Sequence, residues 1–132
     1  MRVLVDTNVL LSALWFRKSR VAQALLHVVN NHELVLCDQN IAELREVVRR
    51  KTPQSLADVE VFLAELSYEL IPAVENADKL IRDPKDQPIL NAAIIADVDV
   101  ILTGDKDFLA LEMHHPRPMS VAQFLEGEGG NV

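Results

Sequence analysis

The chain is poor in the residues that build staples and linkers. Cys37 is its only cysteine, so no intrachain disulfide forms and a disulfide-framed secreted scaffold is excluded. No apolar run reaches membrane-spanning length, so no membrane association is expected. The apolar start MRVLVDTNVLLSALWF is broken by Asp6 and Asn8 and lacks a small-residue cleavage site, so it reads as structure rather than a signal peptide. A reducing cytoplasm is the expected location. There is no internal repeat. Of the four glycines, three fall in the last six residues, so 126–132 is expected to be a mobile tail behind a single domain over 1–125. Basic charge is also short: 13 Lys and Arg against 20 Asp and Glu give −7 at pH 7. Such a chain repels phosphate backbones at long range, unless its acids gather around a cation that reverses the local sign.

What is present is an ordinary globular balance, 49% hydrophobic and 25% charged over 132 residues. That is enough apolar surface for one core and excludes disorder as the main state. Short apolar runs rich in β-branched residues predict strands at 2–5, 33–37, 68–71 and 98–102, with a short last one within 116–121. Helical periodicity fills the intervals. Asp6 or Thr7 caps a helix to about Leu14, and a second covers 21–30. Asp38 caps a third that carries Ile41, Leu44, Val47 and Val48 on one stripe and ends in Arg49-Arg50-Lys51. A fourth begins near Ser55 and buries Val59, Phe62 and Leu63. Residues 73–81 are expected to hold a short helix, 83–86 a turn, 86–97 a helix with Pro88 in its first turn, and 105–111 another. A final turn occupies 122–125. Strands alternating with helices imply an α/β fold with a parallel sheet covered on both faces.

In such sheets, sites form outside the carboxyl ends of the strands, where strand order reverses. Asp6 follows the first strand, and Asp105 and Asp107 follow the fourth after Thr103-Gly104. Asp86 opens a helix and shares a face with Ile89, Leu90 and Ala93. Glu43 lies one turn into the third helix, with Glu46 as a competitor. Several carboxylates on one rim repel strongly, and their oxygens suit Mg2+ or Mn2+. With no His or Cys in the set, zinc is disfavoured there. A metal so held acidifies a bound water and assists in-line attack on phosphorus, which points to phosphodiester hydrolysis. Asn8 and Thr103 are placed to orient a ligand or water.

These residues resemble a known family. Val-Asp-Thr-Asn-Val-Leu at 5–10, Ala-Glu-Leu at 42–44, Arg-Asp-Pro-Lys-Asp-Gln-Pro-Ile-Leu at 82–90 and Leu-Thr-Gly-Asp-Lys-Asp-Phe at 102–108 are similar to the PIN domain in order and spacing, over nearly the whole chain. The nearest likeness is to PIN toxins of bacterial toxin–antitoxin systems. The resemblance implies a three-layer α/β/α sandwich with a parallel sheet of four to five strands. It implies a Mg2+- or Mn2+-dependent ribonuclease with RNA as substrate, an antitoxin partner and a homodimer. Carried onto this chain, its acidic quartet is Asp6, Glu43, Asp86 and Asp105, with Asp107 as an additional acid and Asn8 and Thr103 as polar helpers.

Plainer readings stand beside these. Asp6, Asp105 and Asp107 are also good helix caps, and Asp83 reads as a turn residue before Pro84. Arg45, Arg49 and Arg50 are candidates for RNA-backbone contact or simply complements to a helix C-terminus. Leu10, Leu11, Leu14, Trp15 and Phe16 crowd one helix beyond what a single inner face covers, which favours an interface. In the resemblance, this region is part of the antitoxin groove and dimer contact. His114-His115 lacks a nearby third ligand. A haloacid-dehalogenase-like phosphatase is the rival enzyme, but it needs an acid two residues after the first Asp, where this chain has Asn8. A phosphorylated receiver module needs an acceptor after the third strand, where Ile71-Pro72-Ala73 stands. A non-catalytic PIN-like binding module is the remaining alternative, and the intact acids argue against it.

Overall fold

The computed structural model describes residues 1–76 and 78–128. Five strands, β1 (Arg2–Val5), β2 (Glu33–Cys37), β3 (Glu69–Ile71), β4 (Val100–Leu102) and β5 (Arg117–Met119), form one sheet in the order β3-β2-β1-β4-β5. Every neighbouring pair is parallel. The chain builds outward from β1 through β2 to β3, then returns to lay β4 on the other side of β1. The order therefore reverses between β1 and β4.

The alternation of side chains along each strand divides the core in two. Val3 and Val5 point to one face with Leu34, Leu36, Val100 and Leu102. That face is covered by α1 (Thr7–Trp15), α2 (Arg20–Asn31), α3 (Asp38–Lys51), α4 (Leu56–Glu65) and α7 (Val121–Gly127). Leu4, Val35, Cys37 and Ile101 point to the other face, under α5 (Gln87–Ile95) and α6 (Lys106–Leu109). The result is the three-layer α/β/α sandwich, with five strands. Among the described residues, no helix is long and apolar enough to cross a membrane.

Four local expectations are corrected. Asp38 lies inside the first turn of α3, with Cys37 at the cap; its Oδ1 instead accepts from the Ala73 N–H at 2.9 Å. No helix forms among the described residues of 72–86. Its backbone is held by amide side chains: Gln87 Oε1 accepts from Leu80 and Ile81, and Asn91 Nδ2 donates to the Val74 carbonyl. β4 starts at Val100 rather than Val98, because Asp97 takes a left-handed turn (φ 57°) and the Val98 N–H is spent on the Ala93 carbonyl. Finally, α7 runs on through Gly127, and Glu128 is held by His27 and His32. Of the expected tail, 129–132 lies outside the described residues.

Candidate active site

Register brings the ends of β1 and β4 together: Val5 pairs with Leu102, and the Asp6 N–H donates to the Leu102 carbonyl at 3.0 Å. Asp6 is 7% exposed and both its oxygens are committed. Oδ1 accepts from Thr7 N–H (2.8 Å) and from Asn40 Nδ2 (3.0 Å), while Oδ2 accepts from the Thr103 hydroxyl (2.8 Å). It thus caps α1 and faces the strand ends at once. Burial raises its pKa, the Thr103 and Thr7 bonds oppose the rise, and Glu43 and Asp105 add to it.

Thr103 is fully buried and works in both directions. Its hydroxyl donates to Asp6 and accepts from the Asp105 N–H at 3.0 Å, tying the two acidic loops together. Asp105 caps α6 by accepting from the Asp107 N–H at 2.7 Å. Asn8 reaches the same loop, its Oδ1 3.5 Å from Gly104 N. On α3, Glu43 Oε2 accepts from the Thr7 hydroxyl at 2.9 Å and Oε1 from Gln39 Nε2 at 3.2 Å. Glu46 pairs instead with Arg49.

Asp86 stands at the N-cap of α5 but makes no capping bond. Its Oδ2 is buried without a hydrogen-bond partner. Burial first, then the charges of Asp105, Asp83, Asp6 and Glu43, push its pKa up to about 7. The four expected acids therefore act on one another. The tightest set is different: oxygens of Asp83, Asp86 and Asp107 lie within 4.8 Å of one another. Asp83 does form the expected turn, accepting from the Lys85 N–H at 3.0 Å, and it also faces Asp86. Asp107 is gripped by Arg82 through two bonds of 2.7 and 2.9 Å, which hold its carboxyl below the usual range. Asp83 and Asp86 are the first and last residues of the Asp-Pro-Lys-Asp turn, closed by the Asp86 N–H on the Asp83 carbonyl at 3.0 Å, and that turn was the available signal for this pair. Asn40, three residues before Glu43, had helical spacing as its signal.

A cavity of about 550 Å3 opens beside these acids, lined by Thr7, Glu43, Glu46, Arg50, Lys85 and Asp86 among others. Arg50 is thus at the site. Arg45 forms a paired contact with Glu60 of α4, at 3.0 and 2.8 Å, and Arg49 is held by Glu46.

A family model of the PIN domain matches residues 2–107. The chain belongs to the PIN domain family. No curated protein matches it in sequence. Among solved structures, this PIN domain is similar in fold to a chain of VapBC2 from Rickettsia felis, whose complex is bound to a DNA fragment from its promoter. The TM-score is 0.69 at 18% identity, covering 91% of this chain and 98% of that one. The donor set around Asp86 fits a hard divalent cation: the donors are carboxylate oxygens, and one of them is buried with nothing to accept from.

Proposed function

We propose that this PIN domain is a Mg2+- or Mn2+-dependent endoribonuclease and the toxin of a toxin–antitoxin pair, working in the cytoplasm. The observation that carries the reading is Asp86, whose unpartnered buried oxygen sits among four other acids that disfavour its charge. A pocket built this way is relieved by a cation. In this reading Asp6, Glu43, Asp86 and Asp105 would hold the ion, and Asp107 and Asp83, whose oxygens lie within 4.8 Å of Asp86, would be additional acids beside it. A divalent ion bound there would neutralise charge at phosphorus and acidify a water.

The chain's own residues do the rest. Thr103 fixes the orientation of Asp6 and the loop carrying Asp105. Asn40 and Thr7 hold Asp6 and Glu43 toward one another. Glu43 is favoured over Glu46 because it is bonded to Thr7, next to Asp6, while Glu46 is bonded to Arg49. Asn8 orients the ligand. Arg50 and Lys85 border the cavity and suit an RNA phosphate. Arg45 and Arg49 are already occupied by Glu60 and Glu46, so Arg50 is the arginine assigned to RNA contact. Arg50→Gln should weaken RNA affinity and lower the salt slope by about 1, whereas Arg45→Gln should leave both unchanged in a filter-binding titration.

An antitoxin protein is the proposed restraint, in line with the VapBC2 complex to which the fold is similar. A groove of about 300 Å3 between α1, α2 and α4, lined by Ala13, Leu25, Leu26, Phe62 and Leu66 with Arg17 and Glu65, is the apolar surface offered to it. Phe16, 62% exposed, and Trp15 beside it are offered to a homodimer contact. The deciding experiment is RNA cleavage with Mg2+ or Mn2+ against Asp6→Asn and Asp86→Asn. Loss of cutting by both folded variants is the expected result, and cutting at the wild-type rate overturns the assignment.

A further inference from the structure

A second convergence of ligating side chains lies at the opposite edge of the sheet, where strands begin. His27 is in the last turns of α2, His32 closes that helix ahead of β2, and Glu128 follows α7. Both imidazoles turn Nε2 to the same carboxylate oxygen, Glu128 Oε1, with His27 at 3.2 Å and His32 in direct contact. The three ligand atoms lie within 4.8 Å of one another. The side chains are 22, 12 and 23% exposed, sheltered yet open to an ion from solvent. None of these residues belongs to the carboxylate pocket.

We propose that His27, His32 and Glu128 form a binding site for a borderline divalent transition metal, best suited to zinc, which staples α7 to α2. The donor set decides the class of ion. Two imidazole nitrogens and one carboxylate oxygen suit zinc, whereas Mg2+ and Mn2+ prefer oxygen alone. Spacing agrees with this choice. Two donors about 2.0–2.1 Å from a tetrahedral zinc stand about 3.3 Å apart, so His27 Nε2, 3.2 Å from Glu128 Oε1, needs little movement, while His32, in direct contact with that oxygen, draws back to admit the ion. Three protein ligands leave the fourth position to water.

The rings are oriented before any ion arrives. Phe124 packs edge-on against both, at centroid distances of 5.9 and 6.0 Å, and the rings meet each other at 5.7 Å. The outer nitrogen of His27 faces the Asn31 amide at 3.2 Å, and that of His32 faces the Met1 amine at 3.1 Å. Both outer groups donate to Nδ1, which places each ring's hydrogen on Nε2 in the metal-free protein. Without metal, each Nε2–H donates to Glu128. To ligate, each ring moves that hydrogen to Nδ1, where a turned Asn31 amide accepts from His27 and where, on His32, the Met1 amine, itself a donor, gives way to water. Glu128 is 96 residues beyond His32, so the ion closes a long loop around the last helix.

The test is zinc titration of the EDTA-stripped full chain by calorimetry and thermal melting, in excess Mg2+. Wild type and Asp86→Asn should each bind one zinc with micromolar Kd, and Tm should rise by about 10 °C at a hundredfold excess over Kd. Co2+ should give the visible bands of a tetrahedral nitrogen–oxygen site. His32→Gln and Glu128→Gln should each weaken zinc about 100-fold, and should be checked by circular dichroism to be folded. The proposal is overturned if wild type takes up no zinc, or if these variants bind it as wild type does. It is equally overturned if Asp86→Asn is the change that removes the zinc. Binding and melting read this site alone, so loss of RNA cleavage elsewhere does not mimic either result.

Discussion

The two edges of the sheet handle buried charge in opposite ways. Where the strands end, six acids crowd together, Asp107 alone of them paired with an arginine, and Asp86 is forced up to about 7 with one oxygen unpartnered. Where the strands begin, Glu128 meets two imidazole donors between α2 and α7, and His32 first, with His27 adding to it against the opposition of burial, leaves its carboxyl below the usual range. The first edge is frustrated without an outside cation. The second is satisfied by its own protons. Like charge gathered at one place costs stability, and a fold that keeps it does so for something that binds there. A matched acid and base need no such partner to persist, and their metal has to displace bonds already made.

The largest expected effect tests the frustrated edge. Asp86→Asn and Asp6→Asn should each lower the RNA cleavage rate in Mg2+ by about 100- to 1000-fold, with the fold retained by circular dichroism. If both cut normally, the carboxylates are only a strained surface and the contrast between the edges means nothing for function. Next is Thr103, whose hydroxyl ties the Asp6 carboxylate to the Asp105 loop. Thr103→Val leaves a buried carboxylate oxygen and a backbone N–H unpaired. That should cost about 1–3 kcal/mol in urea unfolding, and Thr103→Ser should restore most of it.

A third prediction turns on pH. The folded pKa of Asp86 lies above its ordinary 3.8, so the folded state holds more protons than the unfolded one between the two values. Wild-type stability in EDTA should therefore fall as pH rises from about 4 to 7. Asp86→Asn has no charge to bury. It should be more stable than wild type at pH 8 by roughly 1–2 kcal/mol, discounted because the side chain is only half-buried, and equal to it near pH 4. A wild type as stable as Asp86→Asn at pH 8 would mean that the acids are well solvated.

The contrast was only half visible in the sequence. The frustrated edge was legible because strand ends are marked locally: Val-Asp-Thr and Leu-Thr-Gly-Asp pass from apolar strand residues to an acid within one to three positions, and the parallel topology makes those ends meet. The quartet's neighbours were less legible. Asp83 satisfies a turn and faces Asp86 together, and a turn signal hides the second role. The described residues of 72–86 form no helix because Gln87 and Asn91 supply hydrogen bonds to them from a different element, which no local periodicity encodes. Arg45 meets Glu60 only through the packing of α3 on α4. The His27–His32–Glu128 cluster was invisible for the same reason: nothing near 128 in sequence points to residues about a hundred positions earlier.

The smallest effect belongs to the satisfied edge, and its sign separates the two. The folded pKa of Glu128 lies below its ordinary 4.5, so its contribution is present above that value and is lost as pH falls through the folded one. The direction is opposite to that of Asp86. Glu128→Gln keeps an oxygen that can accept from both rings but removes the charge. In metal-free protein it should cost less than about 1 kcal/mol at pH 7, since the pair is partly exposed and screened. The gap to wild type should close as pH drops below 4. Urea melts across pH 3–8 measure both slopes in one series. If Glu128→Gln and Asp86→Asn shifted stability with the same sign of pH dependence, the two edges would share one electrostatic character, and the distinction between a pocket waiting for a cation and a self-paired clasp would fail.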